Sequence, residues 1–250
     1  MLHPNVADGI HRIEDSYTNF YLVEDGEGRG MTVVDACVPA SWQSLQGALA
    51  QLGRRLDDIR AVVLTHAHFD HVGFAEKARS TLGVPVYVHT DDVPLTQHPW
   101  RYDHERPRAT YIATRPRALP IVATFLRNRA FWPPPIKEVV RYGDAAGPLP
   151  VPGAPRVVPT PGHTIGHCAL HLPDREVVIA GDAVVTLDPY TGRRGPRLVA
   201  RAATVDSRRN LEALGALAET GARTVLVGHG VPWTGGAEAI VAEARAAGAA

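Results

Sequence analysis

Cysteine is scarce: Cys37 and Cys168 are the only two in 250 residues and form no CxxC pair. Neither a disulfide framework nor a thiolate zinc knot is expected, and two buried, reduced thiols are. Long apolar runs are missing as well, since no stretch approaches the roughly 18 residues of a membrane span. The opening Met1-Leu2-His3-Pro4-Asn5-Val6-Ala7-Asp8 lacks the basic start and apolar core of a secretory signal. A cytoplasmic protein without membrane contact is therefore expected. Net charge is also lacking, with 26 basic against 26 acidic side chains. An apolar content of 45% over this length fits one large domain with an ordinary core.

The balance of charge is uneven along the chain. Between Leu95 and Tyr142 nine Lys or Arg face three acids, and Arg193, Arg194, Arg197, Arg201, Arg208 and Arg209 form a second basic cluster. Residues 94–155 are also rich in proline, from Pro94 to Pro155. Their aromatic content, including Trp100, Tyr102, Phe125, Phe131 and Trp132, argues against disorder and for an ordered, partly helical cap packed on the domain.

Elsewhere helices and strands can be read from caps and period. Ser41 to Leu52, Val72 to Leu82, Asp206 to Thr220 and Ala237 to Ala247 read as helices, the first three stopped by Gly53, Gly83 and Gly221. Short apolar runs separate them: Phe20-Val23, Thr32-Val34, Ala61-Leu64, Val84-Val88, Arg156-Val158, Cys168-Leu172, Glu176-Ile179 and Thr224-Val227. Strands twice as numerous as helices predict an α/β architecture of two mixed sheets packed face to face with helices outside.

The run Thr65-His66-Ala67-His68-Phe69-Asp70-His71-Val72-Gly73 carries the chemistry. Alternate residues of an extended segment share a face, so His66 and His68 can reach one ion while Asp70 and His71 turn toward another. His163, Asp182 and His229 each follow an apolar strand and an immediately preceding glycine, a residue that permits tight turns. Strand ends that converge would gather all four segments into one metal site.

In this combination the sequence resembles the metallo-β-lactamase superfamily, whose HxHxDH signature stands here as His66, His68, Asp70 and His71. The likeness runs nearly full length, through Asp35, Pro161-Gly162-His163-Thr164, Gly181-Asp182 and Gly228-His229-Gly230. It implies a four-layer αββα sandwich. It also implies that His66, His68 and His163 hold one metal, that Asp70, His71 and His229 hold the second, and that Asp182 bridges them. Two zinc ions suit this donor set, and iron or manganese would also accept it. The expected reaction is attack of a metal-bridging hydroxide on a carbonyl, with Asp70 orienting the nucleophile and relaying its proton.

Around the ligands, Asp35 is expected to orient an imidazole, His167 to be structural, and His89 to lie at a strand end near the pocket rim. Tyr190, close after Asp182, either donates to a developing oxyanion or packs in its loop.

Within the family, a common β-lactamase subgroup uses Cys as a second-site ligand, whereas Asp70 here fills a position typical of the other branches, and antibiotic hydrolysis is not expected. The turn Pro161 to His167 resembles that of glyoxalase II, yet the 21 residues after His229 leave no room for a glutathione-binding domain. Val185 occupies the position where homoserine-lactone lactonases carry tyrosine. No nuclease arm is visible, so no nucleic-acid partner is expected. The reading is a binuclear hydrolase of an ester, thioester or lactone, with an anionic small-molecule substrate; the alternatives are an iron-dependent sulfur dioxygenase-like oxidoreductase and a phosphodiesterase.

Overall fold

The computed structural model describes residues 1–26, 28 and 30–249. Its first sheet has seven strands in sequential order: β1 (Leu2–Ala7), β2 (Ile10–Asp15), β3 (Thr18–Glu24), β4 (Met31–Val34), β5 (Ile59–Val63), β6 (Val86–His89) and β7 (Val140–Tyr142). β1 to β4 pair antiparallel as hairpins, and β4 to β7 pair parallel. The crossovers carry α1 (Trp42–Gln51), α2 (Ala75–Leu82), α3 (Val93–Gln97), α4 (Arg108–Thr114) and α5 (Leu119–Arg127). The second sheet uses β8 (Arg156–Pro159), β9 (Cys168–Leu172), β10 (Val177–Gly181) and β13 (Thr224–Val227), ordered β13-β10-β9-β8 with only β13 and β10 parallel. A two-stranded ribbon, β11 (Val185–Leu187) with β12 (Arg194–Arg197), stands apart, and α6 (Ser207–Glu219) and α7 (Ala237–Ala247) complete the chain.

The period of two within each strand sorts side chains into the layers. Phe20 and Leu22 of β3 face the core shared with Leu45 of α1 and Phe74, while Tyr21 and Val23 face the second sheet. Val177 and Ile179 of β10 answer them from across the interface. Val178 and Ala180 turn outward onto Leu214 and Leu217 of α6 and Ile240 of α7. Each such side chain contributes roughly 1.5–3 kcal/mol when fully buried, so a one-residue slip of either strand would exchange two cores at once. The αββα sandwich is the arrangement that satisfies both faces of both sheets. Among the described residues no helix is long and apolar enough to cross a membrane.

Three differences from the sequence reading have local causes. α2 starts at Ala75 instead of Val72, because the Val72 carbonyl closes a tight turn by accepting from the Ala75 amide at 3.0 Å, and the Gly73 and Phe74 amides bond to the Cys37 and Ala36 carbonyls. Leu2–Ala7, Ile10–Asp15, Val140–Tyr142 and the ribbon are strands the alternation did not reveal. Finally, the proline-rich segment is a cap only in its first part: its three helices cover the ligand loop, after which β7 becomes the edge of the first sheet and Leu149 and Val151 enter the core between the sheets.

Candidate metal centre

Four strands end at one place. β5 delivers the Thr65–Gly73 loop, β8 leads to His163, β10 to Asp182 and β13 to His229. Their seven potential ligands are all nearly buried, none more than 6% exposed. Donor atoms of His66, His68 and His163 lie within 4.8 Å of one another, as do those of Asp70, His71 and His229, and those of His66, His71 and Asp182. Asp182 stands between the first two groups, with Oδ2 3.5 Å from His163 Nε2 and 3.1 Å from His229 Nε2, and Oδ1 3.6 Å from His71 Nε2.

Glycines permit this closeness. Gly162 has φ +135, and a Cβ there would overlap the Asn210 backbone at 2.3 Å. Gly228 packs so tightly that a Cβ would lie 2.0 Å from Asp182 Oδ1.

Three of the imidazoles are oriented from behind. His71 Nδ1 faces Asp35 Oδ2 at 3.0 Å, His229 Nδ1 donates to the Tyr17 carbonyl at 2.7 Å, and His66 Nδ1 lies 3.1 Å from the Thr65 hydroxyl. These contacts aim the Nε2 atoms inward. Asp35 also accepts from the Thr65 amide and hydroxyl at 2.8 and 2.9 Å, tying the start of the ligand loop to the end of β4. His167 has a structural place: its Nε2 accepts from the Asp182 amide at 3.0 Å, so its proton sits on Nδ1, beside Thr160. His89 ends β6, with Nε2 3.2 Å from Asp144.

Electrostatics divide the imidazoles into two sets. Burial, reinforced by neighbouring histidines, drives His66 and His68 well below their ordinary range, and burial holds His163 at about 4. For His71 and His229 burial acts in the same direction, but the Asp182 carboxylate and the acids beside it outweigh burial and raise both. Asp182, which burial alone would raise, is lowered by His229 and His71.

The residues fit a metal on a second ground. His66, His68, His71 and His163 Nε2 and Asp182 Oδ1 are buried without a hydrogen-bond partner. An orphaned buried polar atom costs roughly 1–3 kcal/mol, and a bound metal would satisfy the five that converge here. Five imidazoles and two carboxylates make a donor set for zinc, iron or manganese.

Two residues at the site, Asp92 and Tyr102, escaped the sequence reading. Asp92 is fully buried and accepts from the Ala67 and Gly166 amides, each at 2.9 Å, and from the Thr164 hydroxyl at 2.8 Å, joining two ligand loops. Its only sequence signal is an acidic pair, Asp91-Asp92, directly after a strand. Tyr102 of the cap lies over His68 with ring centroids 3.9 Å apart and roofs the centre. Tyr190 meets Tyr102 hydroxyl to hydroxyl at 3.3 Å, and burial raises both phenols, Tyr102 to about 12. Asp70 Oδ2 lies 3.4 Å from His229 Nε2.

Comparison with known proteins agrees with this geometry. The sequence matches the metallo-beta-lactamase superfamily over residues 13–229. It is 28% identical over 240 residues to the probable metallo-hydrolase YflN of Bacillus subtilis (strain 168), spanning 92% of this chain and 86% of that protein. Against a hydroxyacylglutathione hydrolase of Cereibacter sphaeroides (strain ATCC 17029 / ATH 2.4.9), identity is 29% over 175 residues, 70% of this chain and 50% of that one. Among solved structures, a metallo-beta-lactamase family protein from Thermus thermophilus superimposes with TM-score 0.67 at 25% identity, covering 96% of this chain and 80% of that one. TTHA1623, solved in a di-iron-bound form, gives TM-score 0.61 at 26% identity over 91% of this chain and 95% of that one. With the family match running from β2 to His229, the chain belongs to the metallo-beta-lactamase superfamily.

Proposed function

We propose that this protein is a binuclear, zinc-dependent hydrolase that cleaves an ester, thioester or lactone of a small anionic molecule. The observation that carries the reading is the set of buried, unpartnered Nε2 atoms converging with Asp182. His66, His68 and His163 would hold one ion, Asp70, His71 and His229 the other, and Asp182 both. Bound ions of this kind polarise a carbonyl and lower the pKa of coordinated water to about 7.

The chain's own groups do the rest. Asp70, at the second ligand group, would accept a proton from the attacking water and return it to the leaving group. The Tyr102–Tyr190 hydroxyl pair stays protonated because burial raises both, and so keeps a donor for the oxygen that gains charge. Tyr102 and the cap exclude bulk water from ligands that are already nearly inaccessible. The relative named hydroxyacylglutathione hydrolase supports carbonyl hydrolysis. Two free, buried cysteines suit a reducing compartment such as the cytoplasm.

A second reading, iron with oxygen chemistry, draws on the structural neighbour in a di-iron-bound form. Elemental analysis of the purified protein, followed by p-nitrophenyl esters, acyl thioesters, lactones and bis-p-nitrophenyl phosphate, separates the two. Zinc with carbonyl hydrolysis supports the proposal. Iron with oxygen uptake overturns it, and phosphodiester cleavage alone reassigns the reaction.

A further inference from the structure

The cap encloses a pocket directly behind the ligand loop. Its volume is about 120 Å³, and its walls include Phe69, Trp100, Ile121, Phe125, Phe131 and Tyr190. Phe69 stands in the chain between His68 and Asp70, so the pocket shares a wall with both ligand groups. The rings form an ordered box: Phe69 stacks on Trp100 at 3.9 Å and 13°, meets Phe125 edge-on at 5.7 Å, and Trp100 is pinned by its Nε1 donating to the Phe131 carbonyl at 2.8 Å. An apolar cavity of about 150 Å³ takes one benzene, so this one suits a single ring or a short branched chain and is too small for a long acyl chain.

One cation lines the box. The Arg108 guanidinium lies 4.2 Å from the Tyr102 ring centroid and 5.7 Å from that of Trp100. Its guanidinium also reaches the Tyr102 hydroxyl, but its Nε is buried without a hydrogen-bond partner. The edge that carries Nε is left for an in-plane partner, and a carboxylate is the group that matches such an edge with two parallel hydrogen bonds. Because Tyr102 lies between Arg108 and His68, an anion on Arg108 would sit beside the metal centre and not on it.

We propose that the aromatic box and Arg108 together select the substrate: a compact aryl or branched-aliphatic group fills the box, and a carboxylate on the same molecule, separate from the scissile carbonyl, pairs with Arg108. The proposal rests on the hydrolase reading for its scissile bond but on the cap alone for its recognition.

The test uses metal-loaded protein and calorimetric binding of benzylsuccinate, succinate and 3-phenylpropionate. The first carries a ring and two carboxylates, and each of the others lacks one of those features. Benzylsuccinate is expected to bind at least tenfold more tightly than either. Val122→Phe, at a half-buried wall position, should bring the benzylsuccinate-to-succinate ratio close to one. Arg108→Gln should do the same for the ratio of benzylsuccinate to 3-phenylpropionate, with Arg108→Lys recovering part of it. Unchanged thermal unfolding of each variant shows that the fold is kept. Equal binding of the three ligands to the wild type, or ratios that survive both substitutions, overturns the proposal. Ligand binding as expected without hydrolysis of any ester, thioester or lactone leaves the pocket assignment standing and removes the hydrolase reading.

Discussion

Asp35 Oδ2 lies 3.0 Å from His71 Nδ1, and both groups are fully buried. The same carboxylate binds the Thr65 amide and hydroxyl, so one side chain sets an imidazole and the loop that carries it. Asp35 has φ +63, a conformation that asparagine tolerates better than alanine. Asp35→Asn should therefore keep the fold while weakening the hold on His71. A 10- to 100-fold loss of affinity at the second ligand group is expected, the usual effect of removing such a partner, read by competition with a chromophoric chelator.

Gly228 tests the packing of the bridge. A methyl group 2.0 Å from Asp182 Oδ1 must push that carboxylate out of line with His163 and His229. Gly228→Ala is expected to lower metal affinity by roughly tenfold or more, comparable with losing a group that orients a ligand. Equilibrium dialysis against zinc measures it, and unaltered stoichiometry with unaltered affinity would remove Asp182 from the bridging position.

Asp70 is assigned a proton as well as a ligand. Asp70→Asn should lower kcat for ester or thioester hydrolysis by about 10²–10⁴, the range for loss of a positioned acid or base. Full activity with full metal loading would exclude that role.

The metal-free protein should respond to pH with a definite sign. His71 and His229 are raised above their ordinary range, so protonation favours the folded state. Their contribution is complete below the unfolded histidine value of about 6.5 and is lost as pH rises through the raised folded values. Metal ions need the same nitrogens unprotonated. The rise in melting temperature on adding zinc should therefore be larger at pH 8 than at pH 6, and binding should release more protons at pH 7 than at pH 9. Scanning calorimetry in paired buffers checks both.

Much of this site was legible because its chemistry is concentrated in sequence. His66, His68, Asp70 and His71 sit within six positions, and His163, Asp182 and His229 each follow an apolar strand and a glycine. The groups that orient them were harder to see, since Thr65, Asp92, Tyr17 and Tyr102 act through backbone contacts or across elements that only the fold brings together. The layers followed from alternation in β3 and β10, whose neighbours in sequence serve different cores. β7 was hidden among prolines and β12 is Arg-Gly-Pro-Arg, a composition with no strand pattern of its own. Tertiary pairing overrode local preference at both.

The central claim is that two ions per chain sit at the converging strand ends. Titrating metal-free protein with zinc, while following heat and hydrolysis of a thioester or ester on the same samples, tests it most directly. Two equivalents bound, with activity reaching its plateau at the second, is the predicted result. Saturation at one equivalent, or two bound ions with no hydrolysis of any ester, thioester or lactone, would contradict the account.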